Sequence, residues 1–329
     1  MSSSHTVTHV IGADISQREI VLAWARPHRP GLTIANSRTG ILAWLKALPE
    51  GCVIGMEATG RLHHLLADLA ASRGHHVYVI NPKHVSAYAK GVGQRGKTDA
   101  LDATVIARYL DRERDGLHPY TTPSALQRTL RDLISQRAAV VRHRAALQQS
   151  IGATGNEVNR VLKRAHQAAL QSLSTLLVEI NKELKRALSA HPLLESKRKQ
   201  LQTITGIGFV NSVALTRRFD RTPFAHSDAV VAAYGLDPRP KDSGTQVGRR
   251  RLTKQGNAQD RRLIYLAAQS ASKTKLFSPL YRSLLAKGFS TTEAIVIIAR
   301  KLLRIAFALW TTGQTFDPQK VGINTCQKP

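Results

Sequence analysis

The sequence has 329 residues, and its 48 lysines and arginines against 22 aspartates and glutamates give a formal net charge of +26, which indicates a polyanionic partner such as nucleic acid. Its two cysteines, Cys52 and Cys326, lie far apart without a CxxC pattern, which argues against a zinc site and a disulfide framework and fits a reducing cytoplasm. No signal peptide is recognisable and no apolar stretch is long enough to span a bilayer, so we expect a cytoplasmic protein with no membrane partner.

The first 118 residues predict a mixed α/β domain. Two β-rich runs at 7–15 and 19–26 form a predicted hairpin, and Thr39 is the predicted N-cap of the first helix. The other predicted elements are strands over 31–37, 52–58 and 75–82 and helices over 59–74 and 98–114, the last capped by Thr98. This order favours one sheet with an antiparallel start and a parallel continuation.

Residues 119–195 predict two long helices. Leucines and isoleucines recur at spacings of three, four and seven on both sides of a break at 152–156. The pattern indicates an antiparallel helical hairpin or a coiled coil, used either as a dimerisation arm or as a packed spacer. Arg137 and Arg144 fall on the apolar stripe, which predicts imperfect packing or a partly wet face there.

Residues 196–329 are predicted to be mostly helical and strongly basic. The segment ITGIGFVNSVAL has the form of a helix-hairpin-helix turn, in which Gly206 and Gly208 would let backbone N–H groups approach a phosphate. A plain helix–helix turn is the alternative interpretation.

A glycine-containing loop over 235–248 includes Ser243. On chemistry alone this serine is a turn residue, because no neighbouring histidine would activate its hydroxyl. Basic residues surround it in sequence. The residues predicted to bind nucleic acid are Lys97, Lys241, Arg249, Arg250, Arg251, Lys254, Arg261 and Arg262, together with Gly206 and Gly208.

Four acidic residues stand out in so basic a chain. Asp14 and Glu57 each lie in or at the end of an apolar strand, where an unpaired charge is costly. Asp99 and Asp102 share one helical face and, taken alone, are equally explained as N-terminal helix acids. Carboxylates suit Mg²⁺ or Mn²⁺, and two such ions would clamp the attacking and leaving oxygens of a phosphodiester. The set has the layout of a ribonuclease H-like, or RuvC-like, nuclease core.

The segments GADIS, GMEATG, VINP and KTDALDA, in this order and spacing, resemble the RuvC-like half of the DEDD transposases of the Piv and MooV type. These are insertion-sequence recombinases guided by a bridge RNA. The resemblance covers nearly the whole chain and implies that Asp14, Glu57, Asp99 and Asp102 are the catalytic metal-binding tetrad. The match GLDPRPKDSG implies that Ser243 is the catalytic nucleophile that attacks DNA.

The resemblance also implies a RuvC-like domain over 1–118, a helical coiled-coil arm over 119–195 and a C-terminal transposase domain over 196–329. The implied partners are donor and target DNA, a non-coding guide RNA and further copies of the chain in a dimer or tetramer, with the active site completed across subunits. Two alternatives remain. One is a metal-dependent, structure-specific nuclease of the junction-resolving type with water as the nucleophile, and the other is a non-enzymatic nucleic-acid-binding protein.

Overall fold

A computed structural model describes residues 9–27, 29–58, 60–94, 96, 98–239 and 251–321. They divide between two units, Met1–Pro123 and Ser124–Pro329. The predicted boundaries after residues 118 and 195 stay predictions.

In the described part of the first unit, a five-stranded mixed sheet has the strand order β3-β2-β1-β4-β5. The strands β1 to β5 are Val10–Ile15, Glu19–Arg26, Leu32–Ala35, Val53–Glu57 and His76–Ile80, and the helices α1 to α4 are Arg38–Lys46, His63–Ser72, Pro82–Gly91 and Asp99–Glu113. The pairs β1–β2 and β2–β3 are antiparallel, whereas β1–β4 and β4–β5 are parallel. The predicted mixed α/β fold with this sheet is confirmed, and it is consistent with a ribonuclease H-like domain.

The two faces of this sheet carry different helices because side chains alternate along each strand. On one face Ile11 and Ile54 pack into a core with Ile41 of α1 and Leu66 of α2. On the other face the strands are covered by α4, whose Leu110 is fully buried. The sheet is therefore enclosed between two helical layers.

Two local predictions in this unit need correction. The N-cap of α1 is Ser37 and not Thr39: Ser37 has the extended backbone of a cap, and its side chain accepts a hydrogen bond from the amide of Gly40. Helix α3 was not predicted, because Pro82 was interpreted only as the end of a strand. Proline also suits the first position of a helix, and here Asn81 caps that helix.

The described part of the second unit is helical apart from a two-stranded sheet. Its helices α5 to α12 are Ala125–Ala153, Asn156–Ser189, Pro192–Gln202, Phe209–Arg221, Ser227–Ala233, Ala258–Ala271, Ser278–Ala286 and Thr291–Thr312, and its strands β6 and β7 are Pro238–Arg239 and Arg251–Leu252. Helix α12 forms the centre of the main core, with Ile298, Leu302 and Ala306 fully buried. Across the described residues, no helix has both the length and the hydropathy needed to cross a membrane.

Helices α5 and α6 form an antiparallel hairpin. Arg137 donates from Nε to Oδ1 of Asn181 at 3.0 Å, and Arg144 donates from Nη1 to Oγ of Ser174 at 3.4 Å. Seven residues forward on α5 thus correspond to seven residues backward on α6. The two arginines on the apolar stripe are accommodated because each has a polar partner on the facing helix.

Candidate active site

Asp14 and Glu57 lie on neighbouring parallel strands, close to the carboxyl end of each. Strands β1 and β4 are in register, with Gly12 opposite Gly55. Because side chains alternate, Asp14 shares a face with Gly12, and Glu57 shares the same face with Gly55. Both acidic residues are half-buried. The two carboxylates therefore belong to one edge of the sheet, on the face that α4 covers.

Helix α4 lies directly on β1 because Gly12 has no side chain. A Cβ atom at Gly12 would stand 2.3 Å from the carbonyl oxygen of Ala103 and 2.4 Å from the amide nitrogen of Ala107. At Gly55 a Cβ atom would stand 2.8 Å from Cδ2 of Leu110. The two glycines thus fix how closely the backbone of α4 approaches the strands that carry Asp14 and Glu57.

The direction of α4 brings its first turn to the same edge. Leu110, near the C-terminal end of α4, packs with Val10 and Val53 at the beginning of their strands. The N-terminal turn of α4 therefore extends towards the carboxyl ends of β1 and β4. That turn contains Asp99, which is exposed, and Asp102, which is half-buried.

The sequence around Thr98 explains why a helix begins here. The Thr98 hydroxyl accepts a hydrogen bond from the amide of Leu101 at 3.3 Å, and Asp99 and Asp102 lie in the first turn, where the helix dipole favours negative charge. The helix-acid and the metal-ligand interpretations of these two residues are compatible, because an acidic first turn directed at the sheet edge serves both.

The donor set at this edge fits a divalent cation, since carboxylate oxygens are the ligands that Mg²⁺ and Mn²⁺ prefer. Within the part of the chain that the structure describes, no group of three or more histidine, cysteine, aspartate or glutamate residues forms a candidate metal site. The assignment of Asp14, Glu57, Asp99 and Asp102 as metal ligands stays a prediction.

Strands β6 and β7 flank the loop in which the nucleophile is predicted. They pair antiparallel, with Pro238 opposite Leu252 and Arg239 opposite Arg251. Several of the predicted site residues lie outside the described residues, namely Lys97, Lys241, Ser243, Arg249 and Arg250.

The basic residues after this loop that are predicted to contact nucleic acid, and that the structure describes, fall into two groups. Arg251, Lys254 and Arg262 are exposed, as contacts to a phosphate backbone would need. Arg261 is half-buried, and its Nη1 donates to the carbonyl oxygens of Tyr234 at 3.3 Å and Gln255 at 3.2 Å. The side chain of Arg261 thus binds the protein's own backbone.

Gly206 and Gly208 lie in the turn between α7 and α8, as both the helix-hairpin-helix and the plain helix–helix interpretations require. Gly206 has φ +93°, and a Cβ atom there would stand 2.7 Å from both the carbonyl oxygen of Ala267 and Cβ of Ala271. Its lack of a side chain is therefore required for packing on α10. Gly208 precedes α8 and faces open space, and the phosphate-binding role of both glycines stays a prediction.

Comparison with known proteins identifies the family. A DEDD transposase model of the IS110 type, described as "Transposase", matches residues 11–159, and a second model, "Transposase IS116/IS110/IS902 family", matches residues 198–282. The chain belongs to the IS110 family of transposases. The "Pilin gene-inverting protein" of Moraxella bovis is 27% identical over 267 residues, which are 80% of this chain and 81% of the relative. The "Putative transposase y4pF/y4sB" of Sinorhizobium fredii is 26% identical over 337 residues, covering 93% and 85%.

Membership of the IS110 family makes this chain a DNA recombination enzyme with DNA as its substrate. The DEDD transposases also imply a divalent metal requirement in general. The first matched segment contains the four acidic residues, and the second contains Ser243.

Sequence reasoning missed a polar cluster at the start of α10 in this transposase. Both carboxylate oxygens of Asp260 accept hydrogen bonds from Nη2 of Arg217, at 2.9 and 3.0 Å; Asp260 is buried and Arg217 is half-buried. Burial, and secondly the charge of Asp260, raise the pKa of the Tyr234 hydroxyl. Asp260 lies one residue before Arg261, but nothing in the local sequence indicates a partner 43 residues earlier.

Proposed function

We propose that this IS110-family transposase cleaves and rejoins DNA through the hydroxyl of Ser243, with Mg²⁺ or Mn²⁺ held by Asp14, Glu57, Asp99 and Asp102. The observation that carries the proposal is that Asp14 and Glu57 share one face near the carboxyl ends of β1 and β4, and that the first turn of α4, which contains Asp99 and Asp102, extends towards the same edge. Their carboxylate oxygens would be ligands of the kind that Mg²⁺ and Mn²⁺ prefer, and a bound cation would let these acidic residues approach the negatively charged DNA backbone.

A divalent cation bound there would offset negative charge on the phosphodiester and on the developing transition state. The Ser243 Oγ–P bond forms while one P–O ester bond of the DNA backbone breaks; the proton of the serine hydroxyl goes to the departing DNA oxygen, directly or through water, and one DNA end leaves with a free hydroxyl. The product is a phosphoserine ester, so a phosphodiester bond is conserved and reversal on a second strand needs no external energy. Exposed Arg251 and Arg262 would bind DNA phosphates during the exchange.

A non-coding guide RNA would select the donor and target sites by base pairing, as the family resemblance implies. The net charge of +26 supports this part of the proposal, because the protein would hold two nucleic acids largely through their backbones. Expression of the gene with its flanking DNA should yield a structured RNA that copurifies and is protected from ribonuclease. Cleavage at full rate by RNA-free protein would contradict guidance.

We also propose that the chain works as a dimer or tetramer, with the acidic residues of one subunit and Ser243 of another in one active site. Three apolar residues near the tip of the α5–α6 hairpin support contact with a second copy, namely the exposed Val158, Val161 and Leu162. Mixing an Asp14→Asn variant with a Ser243→Ala variant should restore cleavage, whereas a site within one chain would show no restoration.

The chemistry can be tested with end-labelled DNA, metal ion and candidate RNA, followed by denaturing electrophoresis. The wild type should form a covalent protein–DNA adduct that Ser243→Ala cannot form, and Ser172→Ala, which changes an exposed serine on α6, should form it normally. Hydrolytic nicking that survives Ser243→Ala would instead support the junction-resolving nuclease. That second candidate is favoured by the position of all four acidic residues within the first unit.

A further inference from the structure

Two backbone segments flank the loop that contains Ser243: an outgoing segment over 234–239 and a returning segment over 251–257. Each is fixed to the end of a helix. The outgoing segment leaves α9, and the amides of Gly235 and Leu236 donate back to carbonyl groups in the last turn of that helix. The returning segment enters α10, whose first turn is capped by the side chain of Asn257. The ends of both segments are therefore held in place by helices.

These two segments touch backbone to backbone. A Cβ atom at Gly235 would stand 2.1 Å from the carbonyl oxygen of Gln255, and one at Gly256 would stand 2.0 Å from the carbonyl oxygen of Ala233. Both glycines have positive φ, +65° and +82°. Lys254 has φ +51°, a conformation that is costly for a residue with a side chain, and its amide donates to the carbonyl oxygen of Gly235 at 3.1 Å.

Arg261 joins the same two segments from the side of α10. Its Nη1 donates to Tyr234 on the outgoing segment and to Gln255 on the returning one, which uses both hydrogens of that nitrogen. The backbone that carries this side chain is itself held, because the preceding residue, the buried Asp260, forms an ion pair with Arg217. The guanidinium is thus a fixed bridge between the two sides of the loop.

We propose that Arg261 is a positioning residue, which sets the spacing of the two segments and thereby the place at which the loop presents Ser243. The inference rests on the proposed role of Ser243 as nucleophile. Ser243 is four residues beyond Arg239, the last residue of β6, so the covalent chain keeps it within about 14 Å of that position. The spacing of the two segments therefore fixes the points from which the chain leads to and from Ser243.

The test compares Arg261→Met with Arg262→Met in the full chain. Loss of two hydrogen bonds should accelerate amide hydrogen exchange at Thr253 and Lys254 by about thirtyfold in Arg261→Met. Single-turnover adduct formation should slow by about 10- to 100-fold, with DNA affinity within about twofold of wild type. Arg262→Met should instead weaken DNA binding and reduce the slope of log affinity against log salt concentration by about one. Amide exchange at Thr253 and Lys254 should be unchanged in that variant.

Exchange at Thr253 and Lys254 that is unchanged in Arg261→Met would overturn the proposal, as would a loss of DNA affinity like that of Arg262→Met. Exchange within α12 reports whether the unit is folded. If Arg261→Met does not fold, Arg261→Lys keeps the charge but loses the planar fork, and faster exchange at Thr253 and Lys254 with normal DNA affinity is then expected. The exchange measurement needs no DNA, so it remains decisive even if Ser243→Ala still forms the adduct.

Discussion

The closeness of α4 to β1 can be tested by giving Gly12 a side chain. In Gly12→Ala the new Cβ would stand 2.3 Å from a helix carbonyl oxygen, whereas real Cβ contacts essentially never fall below 3.0 Å, so α4 must retreat by at least about 0.7 Å. Overpacking of this kind typically costs about 1–3 kcal/mol. Since displacements near 1 Å can cost about 100-fold in rate, we also expect weaker divalent-cation binding and much slower cleavage.

The measurement is urea unfolding followed by tryptophan fluorescence in a Trp310→Phe background. Trp24 and Trp44, both buried in the core of the first unit, then provide the signal. Gly91→Ala is the matched control, because a Cβ atom at that end of α3 meets nothing within 4 Å. Calorimetric titration with Mn²⁺ should show weaker binding only in Gly12→Ala.

Two results would refute this reasoning. A change in unfolding free energy below about 0.5 kcal/mol in Gly12→Ala, the size of an ordinary surface effect, would show that α4 does not lie against the strand as described. Normal Mn²⁺ binding despite a clear loss of stability would show that the position of α4 does not control the proposed metal site.

Three further predictions concern other parts of the chain. Asp102→Asn should reduce strand cleavage by at least about 100-fold in a single-turnover assay while DNA affinity is kept. Gly206→Ala should lower the melting temperature, because a methyl group collides with α10 at a positive φ, whereas Gly208→Ala should leave it unchanged and test phosphate contact through DNA affinity. The pKa of Glu195 is lowered, chiefly by its hydrogen bond from Arg198, so the ionised carboxylate stabilises the folded state. Urea unfolding should show the full difference in unfolding free energy between wild type and Glu195→Gln above about pH 4.3, the ordinary pKa of glutamate. That difference should vanish as the pH falls through the lower folded-state pKa.

Much of the first unit could be predicted from its sequence. Apolar runs predict β1, β4 and β5, and they predict Asp14 and Glu57 in or at the end of strands, as the structure has them. That the two residues share one edge of the sheet follows from the parallel pairing of β1 with β4. The start of α4 followed from Thr98 and the acidic first turn. In these segments local preference and tertiary packing agree, and sequence reasoning is reliable there.

Helix α3 could not be predicted as readily. Its sequence, PKHVSAYAKG, has one buried residue, Val85, so the apolar period of a helix is weak. Its start depends on Asn81 accepting a hydrogen bond from the amide of Lys83, a contact that a strand ending in Asn-Pro does not announce. The α5–α6 pair is the opposite case, because its long apolar period predicts two helices in an antiparallel hairpin or a coiled coil. The contacts of Arg137 and Arg144 across the pair then show the antiparallel hairpin within the chain.

The glycines illustrate what a single sequence cannot reveal. Gly12 and Gly235 read locally as an ordinary strand residue and an ordinary turn residue, but each marks a place where two distant backbones touch. Contact between backbones is stiffer than contact between side chains, because no rotamer change can absorb a displacement. In the first unit this contact lies two residues from Asp14, and in the second it lies at the base of the loop that contains Ser243. The proposed roles of Asp14 and Ser243 would be sensitive to displacements of about 1 Å. In both units a glycine near the proposed site residue allows the close backbone contact that would hold it in place.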